Sequence, residues 1–186
     1  GGGPEPDGPG GGATEGLWGE RGQRSRVIRG QGTAPALATP AYFRSKGLDL
    51  VPGIGLLPAT VPGAFGAWLT MLRDYGTWTV ADVLAPAILY ARNGFPLVPR
   101  IVQAILAVEG FFRNDWHSSA EVWLPGGQVP SPGALFRLPA LAATYERILD
   151  QAASRGGSDR ERQIDAALDA WYCGFVAREI DHFYTH

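Results

Sequence analysis

The side chains of this 186-residue sequence that could carry nucleophilic, acid–base or metal chemistry are few and scattered. His117 precedes Ser118 and Ser119, but a Ser–His–acid triad is a spatial arrangement that adjacency along the chain does not supply. His182 and His186 stand i, i+4 with Asp181 beside them, so they could share a helix face and hold a metal. No third ligand from elsewhere is evident, and a solvated helix end is the better account of them. Cys173 lies in an aromatic-rich helical stretch with no basic groups patterned around it, which points to a packed thiol and away from a nucleophile. Asp74, Asp82, Glu109 and Asp115 show no acid/base pairing, and the six tryptophans fall at packing positions. Residue chemistry alone names no reaction and no catalytic residue, and implies no cofactor or metal.

Composition sets broader limits. Hydrophobic residues make up 45% and charged residues 18%, a balance that supports a buried core. The formal net charge of -2 provides no basic field for nucleic acid. No apolar run approaches the roughly 18 residues of a membrane-spanning helix. With Cys173 the sole cysteine, no internal disulfide can form and the redox compartment stays open. Lys46 is the single lysine, so positive charge is carried almost wholly by arginine.

The elements that would position any site read as follows. Residues 1–16 are Gly/Pro-rich with almost no large apolar side chains and are expected to be disordered; the whole of 1–29 reads as a disordered or truncated segment ahead of a helical region, 30–186. A short strand is possible at Arg26–Ile28, and prolines discourage long elements up to Pro58. Phe65, Trp68, Leu69 and Leu72 then mark a helix, with Pro62 near its start and Gly76 at its stop. Val80, Val83, Leu84, Ala87, Ile88 and Ala91 mark a second, capped by a Thr79–Asp82 box, interrupted by Pro86 and stopped by Gly94. Ile101, Ala104, Ile105 and Val108 form the stripe of a third. Asn114–Arg137 reads as a loop or small hairpin. A fourth helix begins near Pro139, with Leu141, Ala142, Tyr145, Ile148, Leu149 and Ala152 on one face. After a polar break at Ser154–Asp159, a last helix with a Ser158–Glu161 box carries Ile164, Ala167, Leu168, Trp171 and Phe175, then Ile180 and Phe183. The chain is mainly α.

Three blocks add a resemblance. TAPALATPAYF (Thr33–Phe43), TVPGAFGAWLTMLRDYGTWTVADVLAPAILYARNGFPL (Thr60–Leu97), and GALFRLPALAATYERILDQA (Gly133–Ala153) followed by AWYCGFVAREI (Ala170–Ile180) occur in this order. Together they are similar to the A-P-x-x-A-T, V-P-G, L-A-P-A-I, G-F-P and A-F-Y-x-G-x-x-A-x-x-I series in the large subunit of the gamma-glutamyltransferase (gamma-glutamyltranspeptidase) family. The resemblance implies an N-terminal-nucleophile hydrolase of αββα sandwich fold, whose sheet would be largely missing from this segment. It also implies a proenzyme that cleaves itself, and a partner small subunit beginning with a threonine that is nucleophile and, through its own amine, base. The substrate would be a small-molecule amide, a γ-glutamyl compound such as glutathione or a related acyl amide.

That threonine should lie beyond His186, and Thr60, Thr144 and Thr185 cannot present a free amine in its place. The family's transpeptidases carry an arginine shortly before the A-P pair, where it holds the substrate α-carboxylate. Here Gln31 in GQGTAP, Gly30–Pro35, falls nearest that position, and Arg29 matches only after a two-residue shift. Gln31 is therefore the substrate-binding candidate and resembles the acylase or amidohydrolase-like branch; a plain turn residue is the other reading. SRGGSDRERQIDAALD is longer than the family's usual link and reads as a surface insertion. Two functional readings stand: a large-subunit segment inactive alone, or a non-catalytic helical scaffold or binding fragment derived from such a gene.

Overall fold

The structure, a computed structural model, describes the backbone of residues 14–19 and 24–185 and the side chains of residues 26–185. The expectation of disorder over the first residues therefore falls, for 1–13, outside the described residues. The chain forms two compact units, one running to Thr77 and the other beginning at Trp78.

In the first unit, β1 (Thr14–Gly19) pairs antiparallel with β2 (Arg24–Arg29), from Thr14 opposite Arg29 to Gly19 opposite Arg24. β2 contains the expected Arg26–Ile28 strand. β1 was not anticipated: Thr14 to Gly16 belonged to the stretch expected to lack structure, and pairing with Val27 and Ile28 supplies what local composition lacks. The short α1 (Pro40–Ser45) starts at Thr39, whose hydroxyl accepts the Tyr42 N–H at 3.2 Å. α2 (Ala64–Tyr75) is the helix expected from the Phe65 stripe; Phe65 and Leu69 are buried, and Gly76 caps its end by donating to the Leu72 carbonyl.

The second unit is built on three helices, α3 (Val80–Asn93), α6 (Pro139–Gly156) and α7 (Arg160–Tyr172). Ile148, Ile164, Ala167 and Ala170 are fully buried, with Val80, Leu84 and Tyr145 nearly so. α3 starts with the expected box: Asp82 N–H donates to the Thr79 hydroxyl and Thr79 N–H to the Asp82 carboxylate. It runs on through Pro86 and stops at Gly94, whose φ of 101° suits glycine. β3 (Phe95–Pro96) pairs with β4 (Leu135–Phe136), and Leu97, Val102 and Phe136 form a core under Trp123.

Several expectations change here. α4 (Pro99–Asn114) buries Ile105 and half-buries Val108 as expected, but its buried face turns toward Val102 and Phe112 and leaves Ile101 and Ala104 exposed. The expected loop holds α5 (His117–Trp123) and a 3₁₀ turn at Pro125–Gly127, sustained by packing of Trp123 and Leu124. The polar break is shorter, because α6 reaches Gly156. α7 is capped by Asp159, whose carboxylate accepts the Arg162 N–H, instead of Ser158. Of the residues read as a surface insertion, those up to Gln163 are mostly exposed, while Ile164, Ala166 and Ala167 are buried, so its second half joins the core. The last helix is two: α7 ends at Tyr172 and α8 (Phe175–Thr185) follows Gly174. A side chain at Gly174 would meet the Ala170 backbone at 2.6 Å.

Candidate functional site

The segment carrying Gln31 leaves β2 at Arg29 and runs without regular secondary structure to Pro35. Its position is set by backbone contact. A Cβ on Gly32 would strike the Val61 carbonyl oxygen and approach Thr60 Oγ1 at 2.7 Å. A Cβ on Gly63 would strike the Gly30 carbonyl and lie 3.0 Å from the carbonyl carbon of Gln31. Val61 N–H donates to Thr33 O at 3.0 Å. Two bare backbones thus interlock, Gly30–Thr33 against Val61–Gly63, in a way that only glycine permits at residues 32 and 63. This is the structural meaning of the V-P-G motif, and spacing alone could not reveal it because its partner lies about thirty residues upstream.

The interlock holds Gln31 in register. Gly30 is buried and Gln31 is exposed. Arg29 ends β2, opposite Thr14 in the hairpin. Gly63 also begins α2, and no side chain caps that helix end. Gln31 thus carries a neutral carboxamide, a hydrogen-bond donor and acceptor, at an exposed position on a backbone segment fixed by these contacts.

The other candidates are placed elsewhere. His117 opens α5 with its side chain exposed; Ser118 is exposed and Ser119 half-buried. Cys173 is exposed, not packed, because it sits in the break that ends α7. His182 is exposed on α8, and His186 lies outside the described residues. Among the described residues no group of three or more His, Cys, Asp or Glu side chains converges. Asp74 pairs with Arg73 at 2.8 Å and Glu109 with Arg113 at 2.6 Å. Arg113 also donates to Gly127 O at 2.8 Å, beside an open depression lined by Glu121 and Leu124. Asp115 is an exposed residue at the end of α4. The Thr79 hydroxyl donates to Asp82 at 2.6 Å, and this bond, with the Thr79 N–H, holds the carboxyl below the ordinary aspartate value. That carboxylate is a helix cap. Thr144 and Thr185 donate to the carbonyls one turn back, Ala140 and Asp181, at 2.9 and 2.8 Å, and Thr60 stands beside Gly32.

Residues 3–184 match the model of the gamma-glutamyltranspeptidase family. The chain belongs to that family. Within the gamma-glutamyltranspeptidase family it is 33% identical over 160 residues to the oxamate amidohydrolase proenzyme of Klebsiella pneumoniae subsp. pneumoniae, covering 83% of this chain and 27% of that protein. The structure of LmbA2991HD superposes with a TM-score of 0.82 at 46% identity, over 92% of this chain and 29% of that one. The cephalosporin acylase from Bacillus halodurans superposes with a TM-score of 0.78 at 28% identity, over 96% of this chain and 31% of that one. The chain thus spans about a quarter of the length of the curated relatives it matches. Its mainly helical build is that of a segment of the gamma-glutamyltranspeptidase and acylase fold. Among the described residues, no helix is long and apolar enough to cross a membrane.

Proposed function

We propose that these residues are part of the large subunit of an enzyme that hydrolyses or transfers an acyl group from a small-molecule amide. The acyl group is γ-glutamyl, as in glutathione, or a related one, and Gln31 contacts the substrate. The nucleophile is a threonine that begins the partner small subunit. Its hydroxyl attacks the amide carbonyl, its own α-amine takes the proton, and the acyl-enzyme is resolved by water or an amino acceptor. None of Thr60, Thr144 and Thr185 begins a chain, so these 186 residues alone are inactive.

The observation that carries the choice of branch is Gln31 itself. By the sequence resemblance Gln31 falls nearest the position where the family's transpeptidases carry an arginine, and a neutral amide there offers no charge to an α-carboxylate. Likeness to proteins named as an amidohydrolase and an acylase supports the same side.

The test begins with the coding sequence beyond codon 186, which should encode a threonine at a self-cleavage junction. With the full protein, kcat/KM for a γ-glutamyl anilide and for its des-carboxy counterpart should agree within about tenfold. An arginine clamp worth about 1.5–3 kcal/mol would separate them further. Gln31→Arg should raise the γ-glutamyl preference. A wild-type enzyme strongly favouring the γ-glutamyl substrate overturns the branch assignment, and a gene without the threonine favours the scaffold reading.

A further inference from the structure

α8 begins well anchored. Phe175 is 6% exposed, and the guanidinium carbon of Arg147 on α6 lies 4.0 Å from its ring centroid. Beyond that turn the helix has two unlike faces. Val176, Ile180, Phe183 and Tyr184 recur at i, i+4, i+7 and i+8, one apolar stripe, while Arg178, Glu179, Asp181 and His182 make the remainder polar. A helix so divided normally turns its stripe to a core. This one turns it to solvent: Ile180 is 37% exposed, Phe183 56% and Tyr184 52%.

The stripe lies within the family fold. The family match extends to residue 184, and the Bacillus halodurans acylase aligns with 96% of this chain. Yet this chain spans only 31% of that acylase, so more than two thirds of such a protein lies outside it. We propose that the apolar stripe of α8 is the docking surface for the polypeptide that follows these residues in the processed enzyme, and that Ile180 and Phe183 become buried at that junction. The inference rests on the large-subunit reading above. Large aromatic side chains presented on a regular helix suit such a contact, because they bury much area at little cost in side-chain entropy.

Thiol labelling tests it in the full processed enzyme and in the 186-residue chain. Both carry Cys173→Ser, since Cys173 is exposed, and rates are compared with that parent. Phe183→Cys should react with a maleimide at least about tenfold more slowly in the full enzyme than in the 186-residue chain. Arg178→Cys, opposite the stripe on the polar face, should react at similar rates in both. Ile180→Asp should lower the melting temperature of the full processed enzyme while leaving the helical circular dichroism of the 186-residue chain unchanged.

Equal labelling of Phe183→Cys in both forms overturns the inference, and the functional reading survives if that enzyme turns over its amide substrate. Protection in the 186-residue chain that vanishes on dilution assigns the face to a second copy and also overturns it. A reading frame that stops at codon 186 overturns both.

Discussion

At Gly32 an added methyl group would run into the Val61 carbonyl oxygen, whereas at Gly110, within α4, it would meet nothing within 4 Å. The same substitution should therefore have opposite signs at the two positions. Gly32→Ala should destabilise by about 1–3 kcal/mol, as overpacking against a backbone does. Gly110→Ala should stabilise by about 0.5–1 kcal/mol by reducing the entropy lost on forming a helix. Urea unfolding of the two variants checks both. Tyr145 makes a different prediction. Burial pushes its phenol up from 10.0 to about 12, because the ionised form is poorly solvated inside the second unit. A pKa raised on folding contributes stability that is whole below the unfolded value and lost as pH rises through the folded one. The chain should accordingly lose stability between pH 10 and about 12, and Tyr145→Phe should flatten that part of the profile. Thermal melts across that range would show it.

Among the elements, α6 and α7 carry the second unit. Ile148 and Ile164 are both 0% exposed, so Ile148→Ala and Ile164→Ala should each cost about 2–5 kcal/mol in chemical unfolding. Ile101→Ala on the open side of α4, 37% exposed, should cost far less. α4 also shows why element existence is easier to read than burial phase. Ile101, Val102, Ile105, Leu106, Ala107 and Phe111 put apolar groups nearly all round the helix, so periodicity allows more than one stripe. Leu97, Leu124 and Phe136, brought in by other elements, choose Val102, Ile105 and Phe112. Caps were legible where the chemistry was local, as in the Thr79–Asp82 box. Reading Ser158 in place of Asp159 followed from two adjacent residues both able to cap.

For the whole molecule, the central expectation is functional. The 186-residue chain should release no product from a γ-glutamyl anilide at any concentration, because a nucleophilic threonine needs the free amine that only a chain start provides. Measured turnover by the purified chain would overturn the proposed position of the nucleophile. The sequence by itself determined the family, since ordered local blocks carry that information, and it determined the mainly helical build, since apolar periodicity and caps are local. Only the tertiary structure decided that the glycines at 32 and 63 lock the segment carrying Gln31, that the second half of the apparent insertion joins the core, and that the stripe on α8 lies open. The physical reason is that each of these depends on which distant surface a residue meets. Backbone interlock and burial are properties of pairs far apart in the chain, and a one-dimensional pattern records only one member of each pair.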